Sequence, residues 1–287
     1  MLVSEVYSTG AAAIVVHAFY PDVFEKILDL VCLLPKQHKL FVTTVAEHEA
    51  IIKKMLEQSG RVYSFRVMKN RGRDVLPFLR IFPQIRAQGF NIVVKLHTKK
   101  SPHRGDGHLW ARDIHTQLLN SATLARAVEA FATDSSLGML GPEGHFVSMS
   151  AYLGANKCKV LSIGSRLGLS EQEIQQGGFF AGTMFMARAD AFDPLVRLAF
   201  DDEEFEPEAG QTDGTLAHAL ERAMALSVTV SGMRIASVAE PASWPTINRN
   251  YVFAKKKQII RGLFKKCFRS YQLGLKRMQS FVRSGRI

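Results

Sequence analysis

The chain has 287 residues, 47% of them hydrophobic and 22% charged, with 37 Lys+Arg against 26 Asp+Glu and a net charge of +11. That hydrophobic fraction excludes a disordered or fibrous chain, and the length suffices for one large domain or two small ones. The charge is uneven: residues 249–287 hold 12 Lys+Arg and no acid, leaving 25 basic and 26 acidic side chains in residues 1–248. A basic body would point to nucleic acid, whereas a near-neutral body with a basic tail points elsewhere.

The three cysteines, Cys32, Cys158 and Cys267, form neither a disulfide framework nor a zinc spacing, which fits a reducing compartment. No apolar run reaches the ~20 residues that span a bilayer. The stretch Ala11 to Ala18 lacks a basic flank and a cleavage site, so it reads as a first strand and not a signal peptide. A cytoplasmic location follows as the expectation.

Short apolar runs alternate with longer helical patterns, the mark of α/β construction. Residues 11–19 predict a buried strand, followed by a helix over about 22–34 that Pro35 ends. A second strand is expected at 39–45, a helix at 46–59 ended by Gly60, and a third strand at 61–68. NRGRD (70–74) is a turn leading into a helix with apolar residues at Val75, Phe78, Leu79, Phe82 and Ile85, and 90–98 is a fourth strand. Such a βαβαβαβ start predicts a doubly wound, Rossmann-like sheet flanked by helices, with nucleotide-binding capability. Beyond it, helices are expected at 107–120 and 122–132, a short strand at 137–141, and a glycine-flanked strand at 177–188. An acidic patch (201–208) precedes a helix within 210–226, and 228–238 offers a closing strand or hairpin.

Three constellations carry chemistry. In the first, Asp74 is a plausible N-cap because Pro77 then falls in the first turn. Gly72 allows a tight backbone, and Arg71 and Arg73 sit beside a helix N-terminus that favours an anion; an ordinary turn with solvated arginines is the alternative. The second is KLHTKKSPH (95–103), where an extended strand would put Lys95, His97 and Lys99 on one side at the sheet's ligand-binding end. From Arg66 to Arg104 there are ten Lys/Arg and a single acid, Asp74, enough charge to hold a diphosphate without a metal. The histidines there do not match zinc spacing. The third combines Gly177, Gly178 and Gly182, which permit close backbone approach, with Asp213 at or next to a helix N-cap. The dipole would hold Asp213 ionised and able to take a proton from a hydroxyl, though it would equally serve as a simple cap. His218 and Arg222 share a face at i, i+4. His17, ending the first strand, is a candidate for contact with a nucleotide base or sugar, or else a core histidine.

The tail has apolar residues at Ile260, Phe264, Phe268, Tyr271, Leu275, Met278 and Val282, interleaved with Lys and Arg. This predicts a basic amphipathic helix at an anionic membrane surface; a docking helix for a partner protein and a nucleic-acid arm are the competing readings. The chain thus divides into a body, 1–248, and a membrane-association tail, 249–287.

Together, VHAFYPD (16–22), NRGRDVLPFL (70–79), KLHTKKS (95–101), GTMFMARADAF (182–192) and GQTDGTLAHALER (210–222) resemble the rhamnan synthesis protein F family of bacterial polysaccharide glycosyltransferases. The resemblance implies a GT-A-like fold and a cytoplasmic role in building rhamnose-containing O-antigen or capsule chains. It implies a nucleotide-sugar donor, dTDP-L-rhamnose, and a lipid-linked or growing glycan acceptor. The GT-A plan ends its fourth strand in a metal-binding Asp-x-Asp; here that place reads Lys95-Leu96-His97, so no metal cofactor is expected. Within that plan Asp213 is the expected base, with Glu208 the runner-up. His17, Asn70, Arg71, Gly72, Arg73, Asp74, Lys95, His97 and Lys99 are the expected donor contacts, and Gly182, Thr183, His218 and Arg222 the acceptor or sugar contacts. A catalytically silent assembly scaffold that binds partners or membrane through the tail is the alternative reading.

Overall fold

The computed structural model describes residues 10–98, 100, 107–249 and 251. The chain divides into two units, Met1–Asn248 and Arg249–Ile287, and the fold below is that of the first. Lys99 and the amphipathic pattern of the tail lie outside the described residues.

Four strands alternating with three helices open the fold: β1 (Ala12–His17), α1 (Pro21–Cys32), β2 (Lys39–Val45), α2 (Glu49–Gln58), β3 (Tyr63–Met68), α3 (Val75–Ala87) and β4 (Ile92–His97). There follow α4 (Gly107–Leu118), α5 (Ser121–Thr133), β5 (Leu137–Gly141), β6 (Phe146–Ser148), α6 (Met149–Tyr152), α7 (Lys157–Arg166), α8 (Glu171–Gln176), β7 (Gly178–Phe180) and β8 (Phe185–Arg188). The one-turn α9 (Asp193–Val196), the long α10 (Leu216–Val230) and β9 (Arg234–Ser237) complete it.

Seven strands form one sheet in the order β3-β2-β1-β4-β8-β5-β9, and β6 pairs with β7 apart from it. β8 alone runs antiparallel to its neighbours β4 and β5, while the β1–β4 pairings are parallel. β1 and β4 are buried along their whole length, as strands covered by helices on both faces should be. α1 and α2 pack together, whereas α3 crosses over β2 and β1 and meets α10. The core between α3 and the sheet is an aromatic cluster, in which Phe192 lies 5.5–6.0 Å, ring to ring, from Phe78, Phe82 and Phe185.

Because β1 pairs with β2 on one side and β4 on the other, the strand order reverses between β1 and β4. In open α/β sheets such a reversal leaves a crevice at the carboxyl ends of the strands, where ligands bind. His17 and His97 are registered opposite each other there, as the last residues of β1 and β4.

Two expected elements are corrected. Residues 177–188 are not one strand: β7 and β8 belong to different sheets, and the chain between them turns through left-handed backbone at Gly182 (φ 97°) and Thr183 (φ 57°). Val228–Val230 continue α10 instead of opening a strand, since Val228 is fully buried in the helix packing. The segment 142–176, for which the sequence suggested no structure, supplies β6 and three helices.

Candidate functional site

The site is built around the carboxyl end of β4. Alternation along the strand puts Lys95 and His97 on one face, as expected. The Lys95 side chain is 1% exposed, and its ammonium donates to Asp74 Oδ2 at 2.5 Å and to the Thr183 carbonyl at 3.0 Å. His97 Nε2–H donates to the Gly182 carbonyl at 2.7 Å and lies 4.0 Å from Asp74 Oδ1. The Gly182 N–H donates in turn to Glu221 Oε1 at 2.6 Å. The His17 ring shares a hydrogen bond with the Thr43 hydroxyl at 3.0 Å. Thr98 ties the β1 end to β4, its hydroxyl accepting from the Phe19 and Tyr20 N–H groups at 2.8 Å each.

Electrostatics follow the contacts. Burial opposes ionisation of Asp74, but the charges of His97 and Lys95, with the Lys95 hydrogen bond, hold its carboxyl well below the usual range. Burial lowers His17 to about 4, against the raising influence of Asp74, so the imidazole is neutral near pH 7.

Two expectations about this cluster change. Asp74 stands at the N-cap position of α3, yet its carboxylate makes no capping hydrogen bond; it turns to Lys95, because an ammonium buried beside it would otherwise lack a counter-charge. Lys95, expected to face a diphosphate, is instead neutralised inside the protein.

The NRGRD arginines are also engaged. Arg71 Nε donates to the Phe205 carbonyl at 2.6 Å, and the Arg73 guanidinium donates to the Gln211 carbonyl. Glu208 accepts from the Arg73 backbone N–H at 3.2 Å and sits 3.6 Å from Arg73 Nε. Arg80, about two turns on, pairs with Asp202 at 2.6 Å and donates to the Phe200 carbonyl at 2.7 Å. The acidic run 201–208 is a strap held against the start of α3 by three arginines, with Phe205 buried and Asp201, Glu203 and Glu204 exposed. Gly72 makes this fit possible: it has φ 66°, and a Cβ there would lie 2.7 Å from the Phe205 ring. Arg73 is itself held in left-handed backbone, φ 55°, a strained position of the kind that clusters at functional sites. Asn70 is exposed and makes no side-chain hydrogen bond among the described residues.

The third group gathers at the start of α10. Asp213 Oδ1 accepts from the Asn156 side-chain amide and lies 3.7 Å from Arg222, while Oδ2 accepts from the Ala155 N–H at 3.2 Å. The helix cap is Thr215, two residues on, in a capping box with His218, so Asp213 is not the cap. Burial works against the Asp213 charge, but Asn156, Ala155 and Arg222 together bring its pKa below the usual value. The carboxylate, 24% exposed, keeps an acceptor position on Oδ2 for an incoming hydroxyl. Arg222 donates to the Tyr152 and His218 carbonyls at 3.0 and 2.6 Å and stacks 5.0 Å over Phe179. His218, lowered to about 4 by burial, feels the charges of Arg73, Glu221, Asp213 and Arg222, so the NRGRD turn and the start of α10 share one neighbourhood, and the Lys95 and His97 contacts to Thr183 and Gly182 join the end of β4 to the same strand break.

Asn156 and Glu221 join the site without having been expected there. Glu221 was detectable: it stands at i+3 from His218, on the helix face already singled out through Arg222. Asn156 was not, because it lies in a segment whose structure the sequence did not announce. Among the described residues no three His, Cys, Asp or Glu side chains gather as a metal site. A cavity of about 420 Å³ lined by Arg166, Asp190, Asp193 and Arg197 opens at the opposite end of the sheet, since the end of β8 pairs with the start of β4.

The class this defines is a mixed α/β fold whose strand order reverses beside a cluster of polar and charged side chains, the place where open α/β sheets bind ligands. Residues 2–232 match the rhamnan synthesis protein F family, and the chain belongs to that family. It is 36% identical over 230 residues to the uncharacterized protein WxcX of Xanthomonas campestris pv. campestris strain B100, and equally to that of strain ATCC 33913. Those 230 residues are 80% of this chain and 33% of WxcX, so the chain spans about a third of the length of these relatives. A cytidylyltransferase from Leptospira borgpetersenii aligns over 83% of this chain and 77% of its own, with a TM-score of 0.42 and 11% identity.

Proposed function

We propose that the chain is a glycosyltransferase of rhamnan or related polysaccharide synthesis, moving L-rhamnose from dTDP-L-rhamnose onto a lipid-linked or growing glycan. The observation that carries this is the pairing of a strand-reversal crevice with an ionised carboxylate, Asp213, that retains a free acceptor position, in a member of the rhamnan synthesis protein F family. Asp213 takes the proton of the acceptor hydroxyl as that oxygen attacks the anomeric carbon, and the bond to the nucleotide diphosphate breaks. Its low pKa keeps it in the required ionised state at the expense of basic strength. Arg222 and Asn156 hold it in place. Glu208, tied to Arg73, is the lesser candidate.

Arg73, at the start of α3, is the cation best placed for the donor diphosphate, and no metal is invoked because Lys95 and His97 stand where the GT-A plan has carboxylates. No helix among the described residues is long and apolar enough to cross a membrane. The basic tail is proposed as a lipid-surface contact beside the acceptor, and Trp244 and Ile247, 63% and 42% exposed shortly before it, suit such a surface. A thermal-shift panel of nucleotide sugars tests the donor class, because a ligand stabilises the state it binds. Stabilisation by dTDP species and not by UDP or GDP sugars is expected; an equal response to all would refute it.

A further inference from the structure

We propose that Thr183 recognises a hydroxyl of the donor sugar, and that Asp74, Lys95, His97 and Glu221 act as positioning residues that aim it; this rests on the sugar-transfer reading above. Thr183 is branched at Cβ yet occupies left-handed backbone, φ 57°, where such a side chain is poorly tolerated. Glycine would adopt that conformation without strain, so what threonine adds is its side chain.

That side chain is not a packing group alone. Thr183 is 4% exposed, and its hydroxyl has no hydrogen-bond partner among the described residues. It is nevertheless absent from the fully sealed unpaired groups, of which Arg73 Nε is the sole example among the described residues. The hydroxyl therefore keeps a small window on solvent, at the carboxyl end of β4, two residues before the Lys95–Phe185 register pair.

The backbone around it is fixed from three directions. Glu221 of α10 holds the Gly182 N–H at 2.6 Å, and His97 of β4 holds the Gly182 carbonyl at 2.7 Å. Lys95, itself anchored by Asp74, holds the Thr183 carbonyl at 3.0 Å. Three polar side chains, one of them anchored by Asp74, converge on one dipeptide whose own hydroxyl is left unpaired. Their charges also choose the ligand. Lys95 is balanced by Asp74, and Glu221 lies 3.9 Å from Arg222, so both cations are already paired and the place suits an uncharged hydroxyl better than a phosphate.

Calorimetric titration of wild type, Thr183→Val and Thr183→Ser with dTDP and with dTDP-L-rhamnose tests this. Valine keeps the branch and the volume and removes only the hydroxyl. T183V should bind dTDP as wild type does and dTDP-L-rhamnose about tenfold more weakly, the value of one hydrogen bond. T183S should recover most of the difference. Equal binding of both ligands by T183V and wild type overturns the proposal while leaving the donor reading intact. Wild type binding neither ligand overturns the donor reading and this proposal with it. The paired variant Asp74→Asn/Lys95→Met, which removes both charges together, should show the same selective loss for the sugar-bearing ligand. An equal loss for dTDP itself would make Lys95 a phosphate contact and refute its positioning role.

Discussion

Lys95 Nζ lies 2.5 Å from Asp74 Oδ2, joining two residues 21 positions apart, one at the end of a strand and the other at the start of the preceding helix. With the lysine side chain 1% exposed and the aspartate 11%, the pair is an interior one. Removing one partner strands the other charge. Lys95→Met should cost about 3–5 kcal/mol, while Asp74→Asn combined with it should recover most of that loss. Urea unfolding of the three variants checks this, and a single variant as stable as wild type would show that the pair is not coupled.

Stability should depend on pH between about 6.5 and about 4. Burial brings His17, His115 and His218 each to about 4, below the 6.5 of an unfolded chain. Between those values the unfolded chain binds protons that the folded one does not, so stability is fully present above about 6.5 and declines as the pH falls. Each histidine contributes up to about 1.4 kcal/mol per pH unit in that window. Asp74, lowered in the folded state, adds its own loss only where the pH drops through the ordinary carboxylate range. Urea midpoints at pH 7 and pH 5 should therefore differ, and His17→Asn with His115→Asn should narrow the difference. Identical midpoints in wild type would contradict the burial of these rings.

The strap offers a separate test. A Cβ at Gly72 would lie 2.5 Å from Leu76 Cβ and 2.7 Å from Phe205, with the backbone at φ 66°. Gly72→Ala should destabilise by about 1–3 kcal/mol and speed protease cleavage within 201–211. Unchanged cleavage would mean that the strap does not depend on this fit.

Much of the framework was legible because the first four strands are short apolar runs separated by amphipathic helices, two of them with clear stops at Pro35 and Gly60. The break between β7 and β8 was not. Gly182 announces freedom, but nothing in a threonine announces φ 57°; that conformation is imposed by Lys95, His97 and Glu221 from elsewhere in the fold. The run Val228-Thr229-Val230 has strand propensity that helix packing overrides. At the site, Asp74, Lys95, Arg73 and Asp213 were all visible as chemistry. Their partners were not, since a sequence shows charges without showing which ones cancel: Lys95 and Asp74 belonged to separate motifs, and nothing in the acidic run 201–208 pointed to the arginines of 71–80.

The tail carries its own prediction from composition. A chain lacking 249–287 should lose sedimentation with anionic vesicles and keep its affinity for a nucleotide sugar, since the candidate donor contacts all lie before residue 249. Equal sedimentation of full-length and shortened chains would assign membrane contact to another part of the protein.

The central claim is sugar transfer with Asp213 as base, and release of dTDP from dTDP-L-rhamnose in the presence of lipid-linked glycan and excess EDTA measures it. Wild type should turn over, and Asp213→Asn should be slower by about 10²–10⁴ with donor affinity retained. Absence of release by wild type, or undiminished release by D213N, would contradict the account.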